Sequence, residues 1–171
     1  LPGYAVSIAA RDDEGGLVGV VAIPTLGEVY RARRGGGASC NGRPIRSSAS
    51  TNLATALVAT GFSYTAARRR RQAERVASLI DQVRDIRRFG AAAADLCYAA
   101  SGRVDAYFEE FLNPWDLAAG EIIATEAGCR LGALDGGPIR HDSVLVAAPG
   151  IFDALVELIA TANADHPHAL G

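Results

Sequence analysis

The hydrophobic pattern of the chain changes its period after about residue 50. Before that point, short apolar runs alternate with turns rich in Asp, Glu and Gly, which predicts antiparallel hairpins. The predicted strands cover residues 4–10, 17–24 and 28–33. A small polar stretch, 47–52, follows and is the best candidate for a domain boundary. We therefore expect 1–50 to be the remainder of an N-terminal α+β domain and 51–171 to form a C-terminal α/β domain.

Strand and helix patterns alternate in the second part of the chain. Apolar residues recur every three to four positions over 72–83, which predicts an amphipathic helix. The other predicted helices cover 91–101, 114–127 and 151–162. The predicted strands cover 56–60, 85–89, 104–108 and 143–148. This alternation is typical of a layered α/β domain.

Composition indicates a globular protein and disfavours several classes of function. Of the 171 residues, 49% are hydrophobic and 21% are charged, which is the composition of a folded domain. The formal net charge of −2 argues against nucleic-acid binding as the main task. No apolar run approaches the length that a bilayer requires, so we expect no membrane partner.

Residue usage adds two expectations about the origin and compartment of the chain. All 17 basic residues are arginine, methionine is absent, and Leu1 is preceded by no leader pattern, so we expect a piece of a longer polypeptide. Cysteine occurs three times at unrelated spacings, at Cys40, Cys97 and Cys129. An odd number of this kind favours reduced thiols in a cytoplasmic protein over a disulfide framework or a zinc site.

The middle of the α/β part allows the position of a cleft to be predicted. One helix joins the strand before Gly90 to the strand that ends at Phe108, which is typical of a parallel crossover. Parallel strands end at the same edge of a sheet, where helix N-termini present free N–H groups to ligands. The residues expected to face this cleft are Gly90, Ala91, Ala92, Glu109 and Asp116.

Asp116 carries the most information among these residues. Its predicted helix is apolar almost all round, so the helix packs on more than one side. A carboxylate in such surroundings must be capped, paired or bound to a metal, because its desolvation alone costs several kcal/mol. Asp116 lies three residues after the predicted N-cap Asn113, so helix capping and metal ligation both remain open.

Four further segments admit a structural and a functional interpretation. Glu109 and Glu110 are candidates for an acid–base pair, although neighbours on a strand point to opposite faces and at most one should face the cleft. The run Arg68–Arg71 is a candidate for gripping phosphate or RNA, but a solvated helix start or loop is commoner. The turn 34–38 lacks the Lys-Ser/Thr of a phosphate loop, and Glu126 at a helix C-terminus is expected to have an arginine partner.

Several segments are similar to the motifs of one known family. Trp115–Gly120, followed by Thr125–Gly128, resembles the C-terminal signature of the inositol monophosphatase family of magnesium-dependent, lithium-sensitive sugar-phosphate phosphatases. Supporting matches are Tyr4–Ile8, Gly35–Gly42, Arg87–Ala93 and Gly102–Glu109. The matches cover essentially the whole chain, in the order and at the spacing of the family.

The resemblance implies a fold and a mechanism. The fold is the layered αβαβα sugar-phosphatase fold, with a mixed sheet in the C-terminal domain, in a protein that forms homodimers. Two or three Mg²⁺ ions hold the phosphate of inositol monophosphate or a related polyol phosphate, one activates a water, and in-line attack expels the alkoxide. Asp116 matches a metal ligand and Glu109 matches the residue that binds substrate hydroxyls. The turn at Gly90, Ala91 and Ala92 matches the segment whose N–H groups face the substrate.

The sequence departs from the family pattern in three places. The G-E-E and D-P-x-D-G-T motifs, which supply the other metal ligands, do not occur in it. Ala91 stands where the family has Ser or Thr, and Cys129 stands where it has a second glycine. One carboxylate cannot hold a two-metal site, so either the motifs lie in a part that is missing from this chain or the polypeptide is inactive. We favour the former, because the remaining motifs are intact.

Two alternatives stay open at this stage. One is a related phosphatase of the same superfamily that acts on histidinol phosphate, fructose bisphosphate or phosphoadenosine phosphate. The other is a non-catalytic module that binds RNA or a transcription partner through Arg68–Arg71. No residue of this chain is assigned as a general acid, general base or nucleophile.

Overall fold

A computed structural model of the protein describes residues 3–165, and for Asp165 the backbone alone. The first of its two sheets is antiparallel, and its five strands follow one another in chain order. They are β1 Val6–Asp12, β2 Gly15–Ile23, β3 Glu28–Arg33, β4 Ala38–Cys40 and β5 Arg43–Pro44. The predicted meander is therefore confirmed, and two short strands extend it.

The second sheet is mixed, with the strand order β7-β6-β8-β10-β9. Its strands are β6 Leu57–Thr60, β7 Asp85–Arg87, β8 Ala106–Glu110, β9 Arg130–Gly132 and β10 Ser143–Ala147. Strand β6 runs parallel to both β7 and β8, while β10 is antiparallel to β8 and β9. The crossover from β7 to β8 is thus parallel as predicted, and it passes over β6.

Four helices complete the layers. They are α1 Ala66–Leu79, α2 Ala92–Ala100, α3 Pro114–Glu126 and α4 Phe152–Asp165, with short 3₁₀ helices at Pro24–Leu26 and Leu53–Thr55. Helices α2 and α3 lie between the two sheets, whereas α1 and α4 pack together on the opposite face of the second sheet. The described residues therefore form a β-α-β-α stack, four of the five layers of the α/β sugar-phosphatase fold.

Small residues allow α3 to be buried on several sides. A Cβ atom at Gly19 of β2 would lie 2.6 Å from Ile122 Cγ2 and 2.7 Å from the carbonyl oxygen of Ala119. On another face of the helix, a Cβ at Gly120 would overlap the side chain of Leu96. The apolar character of α3 thus reflects its packing between the first sheet and α2, as its sequence predicted.

The structure corrects some boundaries. Helix α1 begins at Ala66 rather than at residue 72. The hydrophobic pattern does not predict its first turns, because they consist of exposed arginines without an apolar period. The short strands β4, β5 and β9 were not predicted. For β4 and β5 a signal existed, since Asn41 and Gly42 both have positive φ and form the two-residue hairpin turn typical of Asn-Gly.

The structure also bears on the expected state of the cysteines and on membrane-spanning segments. All three cysteines carry free thiols, and burial raises the pKa of the Cys129 thiol to about 12. No helix in the described part of the chain combines the length and apolar character needed to cross a bilayer. The boundary between 1–50 and 51–171 stays a prediction.

Candidate active site

A cleft of about 430 Å³ lies at the edge of the second sheet where β6, β7 and β8 end and where α2 and α3 begin. The five residues that sequence reasoning placed together all line it: Gly90, Ala91, Ala92, Glu109 and Asp116. The topology explains this arrangement, because three parallel strands deliver their C-terminal ends to one edge. The roles assigned to these residues remain predictions.

Asp116 lies in the first turn of α3 and uses one carboxylate oxygen to cap it. Its Oδ2 accepts a hydrogen bond of 2.9 Å from the backbone N–H of Asn113. Among residues 3–165 the other oxygen, Oδ1, accepts no hydrogen bond. Capping is therefore present, and it leaves one hard oxygen donor of Asp116 at the cleft for a ligand.

The described residues do not complete a metal site. Magnesium requires close to six oxygen ligands and is commonly held by more than one carboxylate together with substrate oxygens and water. Within residues 3–165 no group of three or more His, Cys, Asp or Glu side chains is placed to hold a metal ion. Asp116 fits as one ligand of a larger set, and these residues alone support no step through a metal.

Glu109 is held against the wall of the cleft by two neighbours. The hydroxyl of Tyr107 donates a hydrogen bond of 2.6 Å to Glu109 Oε2. Strand register places Thr60 beside Phe108, so Gly61 lies next to Glu109, and a Cβ at position 61 would overlap the carboxyl group. Burial raises the pKa of Glu109 despite the opposing effects of the Tyr107 hydrogen bond and the Arg88 charge.

Asp95 is a cleft residue that sequence reasoning missed. It lies in the first turn of α2, is 1% exposed, and its Oδ1 has no hydrogen-bond partner in the described structure. Burial, followed by the charge of Glu109, raises the pKa of Asp95 to about 8, although Arg88 opposes this rise. Asp95 is thus protonated at neutral pH. Asp95 carries the same signal in the sequence as Asp116, since it is a lone carboxylate on an apolar helix.

The start of α2 presents backbone N–H groups at the cleft, where those of Gly90 and Ala91 also interact with the Asp95 carboxyl group. Ala91 is the N-cap residue and has no side-chain group that could cap the helix. Gly90 has φ +101°, a backbone conformation that favours glycine, and the guanidinium of Arg88 occupies the space that a Cβ there would need. This turn therefore depends on its glycine, and its first N–H groups can receive an anion.

The second glutamate of the pair has a structural partner. Glu110 also borders the cleft, but its carboxylate lies on the α1–α4 face of the sheet, which agrees with the expectation that neighbours on a strand point to opposite faces. Its carboxylate accepts hydrogen bonds of 2.6 and 3.2 Å from the buried Arg75, whose Nε donates to Asn163 at 2.8 Å. This network links β8 to α1 and α4, so Glu110 is not a free acid or base.

The arginine run forms the exposed beginning of α1, in agreement with the commoner of its two interpretations. Arg68, Arg69 and Arg70 are exposed, whereas Arg71 is partly buried. The guanidinium of Arg68 lies 4.0 Å from the ring centroid of Phe111 at the mouth of the cleft. This contact gives the exposed helix start one fixed cation beside the site.

In the described part of the chain, Glu126 does not have the arginine partner that was expected. Its two carboxylate oxygens instead accept hydrogen bonds of 2.8 Å each from the backbone N–H groups of Gly35 and Gly37. The glycine-rich turn between β3 and β4 therefore binds a carboxylate of its own chain. This occupancy supports the interpretation of the turn as a structural one.

Comparison with known proteins places this fold and cleft in a family. The family model described as the inositol monophosphatase family matches residues 1–166. The inositol-1-monophosphatase of Mycobacterium leprae is 43% identical over 95% of this chain and 58% of its own length. The Nus factor SuhB of Escherichia coli K12 is 43% identical over 80% of this chain and 52% of its own length.

Solved structures agree with these matches. The extragenic suppressor protein suhB of Bartonella henselae has a TM-score of 0.85 at 34% identity, covering 91% of this chain and 60% of that one. Mycobacterium tuberculosis SuhB has a TM-score of 0.84 at 40% identity, covering 93% and 64%. These proteins share the α/β sugar-phosphatase fold described above. The chain belongs to the inositol monophosphatase family, and it spans 52–64% of the length of these relatives.

Proposed function

We propose that this protein hydrolyses phosphomonoesters of polyols, with inositol monophosphate or a closely related ester as substrate and Mg²⁺ as cofactor. The observation that carries the proposal is the meeting of three groups in one cleft. These are the open Oδ1 of Asp116, the carboxylate of Glu109 and the N-terminal turn of α2. Family membership supports the same reaction, and the relative from Mycobacterium leprae is named for it.

Each of these groups has a distinct task in the proposal. Asp116 Oδ1 ligates a metal, and the N–H groups at Ala91 and Ala92 donate to the oxygens of the bound ester. Glu109 accepts a hydrogen bond from a substrate hydroxyl. When bound, Mg²⁺ supplies charge stabilisation for the phosphoryl group and its leaving oxygen. The remaining ligands belong to the family's G-E-E and D-P-x-D-G-T motifs, outside this chain.

Phosphate release by the full natural polypeptide tests the proposal. We expect Mg²⁺-dependent release from myo-inositol 1-phosphate, and D116N to lower it by more than about a hundredfold. Asparagine retains the oxygen that caps Asn113, so this variant removes the charge with little effect on the helix. D153N is the matched control, because Asp153 is exposed and pairs with Arg130. Absence of Mg²⁺-dependent release from every polyol phosphate would contradict the proposal.

Kinetics on a set of phosphate esters would identify the substrate within this class. Histidinol phosphate, fructose bisphosphate and phosphoadenosine phosphate are the rival substrates, and the highest kcat/KM identifies the one preferred. Trp115 is the sole tryptophan of this chain and lines the cleft, so the part of the fluorescence change that W115F removes gives a binding signal that does not depend on turnover. A signal with inorganic phosphate that E109Q leaves unchanged would assign Glu109 to the alcohol part.

A second candidate function rests on the exposed start of α1. Arg68, Arg69 and Arg70 present three cations to solvent, and relatives from Escherichia coli and Pasteurella multocida are named Nus factor SuhB. A non-catalytic module that binds RNA or a transcription partner would use this surface. Steep salt dependence of RNA binding, lost when the three arginines become glutamine, would favour it over hydrolysis.

Three coarser features complete the proposal. We propose that the protein is cytoplasmic. We also propose that it forms homodimers, and sedimentation at several concentrations would test the oligomeric state. We also propose domains at 1–50 and 51–171, and limited proteolysis near 47–52 would test that division. A monomer at all concentrations, or cleavage confined to other segments, would contradict these statements.

A further inference from the structure

We infer that Tyr107 is a positioning residue which, together with Gly61, fixes the Glu109 carboxylate and so sets a preference for phosphate esters of polyhydroxylated alcohols over those of simple alcohols. The inference rests on the proposed function, because it concerns how Glu109 meets a substrate hydroxyl. It assigns a role to two residues that do not themselves touch the substrate.

The first element is the hydrogen bond from Tyr107. Tyr107 lies in β8, is 0% exposed, and its hydroxyl is 2.6 Å from Glu109 Oε2. Burial and the neighbouring charge of Glu109 raise the pKa of Tyr107 well above its usual value, so the phenol remains a donor throughout the physiological range. One carboxylate oxygen of Glu109 is thereby occupied by a rigid, buried partner.

The second element is the absence of a side chain at Gly61. This glycine follows β6 directly and has no left-handed backbone, so its conformation does not demand glycine. Glu109 is the residue that requires a glycine at position 61, because a Cβ there would overlap all three atoms of the Glu109 carboxyl group. The space beside the bare Cα of Gly61 and the hydrogen bond from the Tyr107 hydroxyl together hold the carboxylate in one position.

The remaining oxygen is the functional one. Among residues 3–165, Glu109 Oε1 accepts no hydrogen bond, so it is left for a substrate hydroxyl. A carboxylate already fixed at Oε2 loses little rotational freedom when that hydroxyl binds, which strengthens binding of esters that carry it. An ester of a simple alcohol has no hydroxyl to donate and gains nothing from the arrangement.

Three other charged or ionisable groups lie near Glu109 and also affect its charge. Arg88 and Asp116 act on it in opposite directions, and Asp95 on α2 interacts with it from the helix side. None of these three holds the carboxyl group by a hydrogen bond in the described structure. The orientation of Glu109 therefore depends on Tyr107 and Gly61.

The test is Y107F in the full natural polypeptide with Mg²⁺. The ratio of kcat/KM for myo-inositol 1-phosphate to that for p-nitrophenyl phosphate should fall about tenfold, mainly through KM of the inositol ester. Y107F added to E109Q should change that ratio less than about twofold, because the residue it positions has lost its charge. Y98F is the control, since Tyr98 packs on Phe89 outside the Glu109 contact.

A readout without turnover separates this inference from the proposed function. The carboxyl ¹³C titration of Glu109 should shift to a higher pKa in Y107F, because the lost hydrogen bond stabilised the ionised form. G61A should reduce the selectivity ratio while the phenol is retained, and it decides the question where Y107F fails to fold.

The outcomes that overturn the inference are specific. An unchanged titration of Glu109 in folded Y107F would overturn it, as would a selectivity ratio that Y107F lowers equally with and without E109Q. Wild-type protein that releases no phosphate from any ester defeats the proposed function alone. In that case the Glu109 titration and calorimetry with myo-inositol 1-phosphate still decide the role of Tyr107.

Discussion

Replacing Asp95 with asparagine is expected to stabilise the protein at neutral pH, by an amount that grows between about pH 4 and pH 8. In the unfolded chain this carboxyl ionises at its ordinary pKa of 3.8, whereas in the folded protein burial raises the pKa of Asp95 to about 8. Between these values the folded state keeps a proton that the unfolded state releases. Stability from this group is complete below pH 4 and is lost as the pH rises through 8.

The size of the effect follows from the two pKa values. At pH 7 the unfolded carboxyl is about three pH units above its pKa, and each unit corresponds to about 1.4 kcal/mol, which gives about 4 kcal/mol as an upper limit. The asparagine amide must be buried where Oδ1 has no partner, at a cost of about 1–3 kcal/mol. We therefore expect a net gain of about 1–3 kcal/mol for D95N at pH 7, and none or a loss at pH 4.

Urea unfolding of wild type and D95N at pH 4, 5, 6, 7 and 8 measures this difference. The free energy of unfolding of D95N minus that of wild type should rise steadily across the series. D153N provides the control, since Asp153 is exposed at the start of α4. A difference that stays flat with pH would show that Asp95 is ionised in the folded protein and would refute the reasoning.

Three further predictions concern stability and can be measured by denaturant unfolding. G19A should cost about 1–3 kcal/mol, because its Cβ would meet the backbone and a side chain of α3, and an A22G control should cost no more than about 1 kcal/mol. E126A should cost about 2 kcal/mol by leaving two turn amides without their acceptor, and wild-type stability in this variant would contradict the assignment. R75A should cost about 3 kcal/mol by leaving Glu110 partly buried and unpaired, and R75A combined with E110Q should recover part of that loss.

Sequence reasoning located the cleft because its argument needed only local patterns and one topological rule. A helix of three turns between two strands predicts that the strands are parallel, and parallel strands end at the same edge. The structure has this crossover between β7 and β8, so Gly90 and Glu109 meet in the cleft. The N-terminal meander and the packing of α3 were predicted on equally local grounds.

One support of the site depends on a contact that no local pattern records. Gly61 lies beside Glu109 only because β6 pairs with β8 in the sheet. Tyr107 lies two residues before Glu109 on the same strand, so its contact could have been predicted from strand alternation. The partner of Glu126 was predicted wrongly for a related reason. An arginine is visible in a sequence, whereas backbone N–H groups that converge in a turn are not.

The grip of Glu126 on the β3–β4 turn has a mechanical consequence. Asp116 and Glu126 stand near opposite ends of α3, about 15 Å apart at 1.5 Å per residue. The hydrogen bonds of Glu126 therefore fix the C-terminal end of α3 to the first sheet. A tilt of about four degrees at that end would move the carboxylate of Asp116 by about 1 Å, a distance that matters to a metal ligand. The glycine turn between β3 and β4 thus contributes, together with the packing along α3, to the position of a cleft residue about 15 Å away.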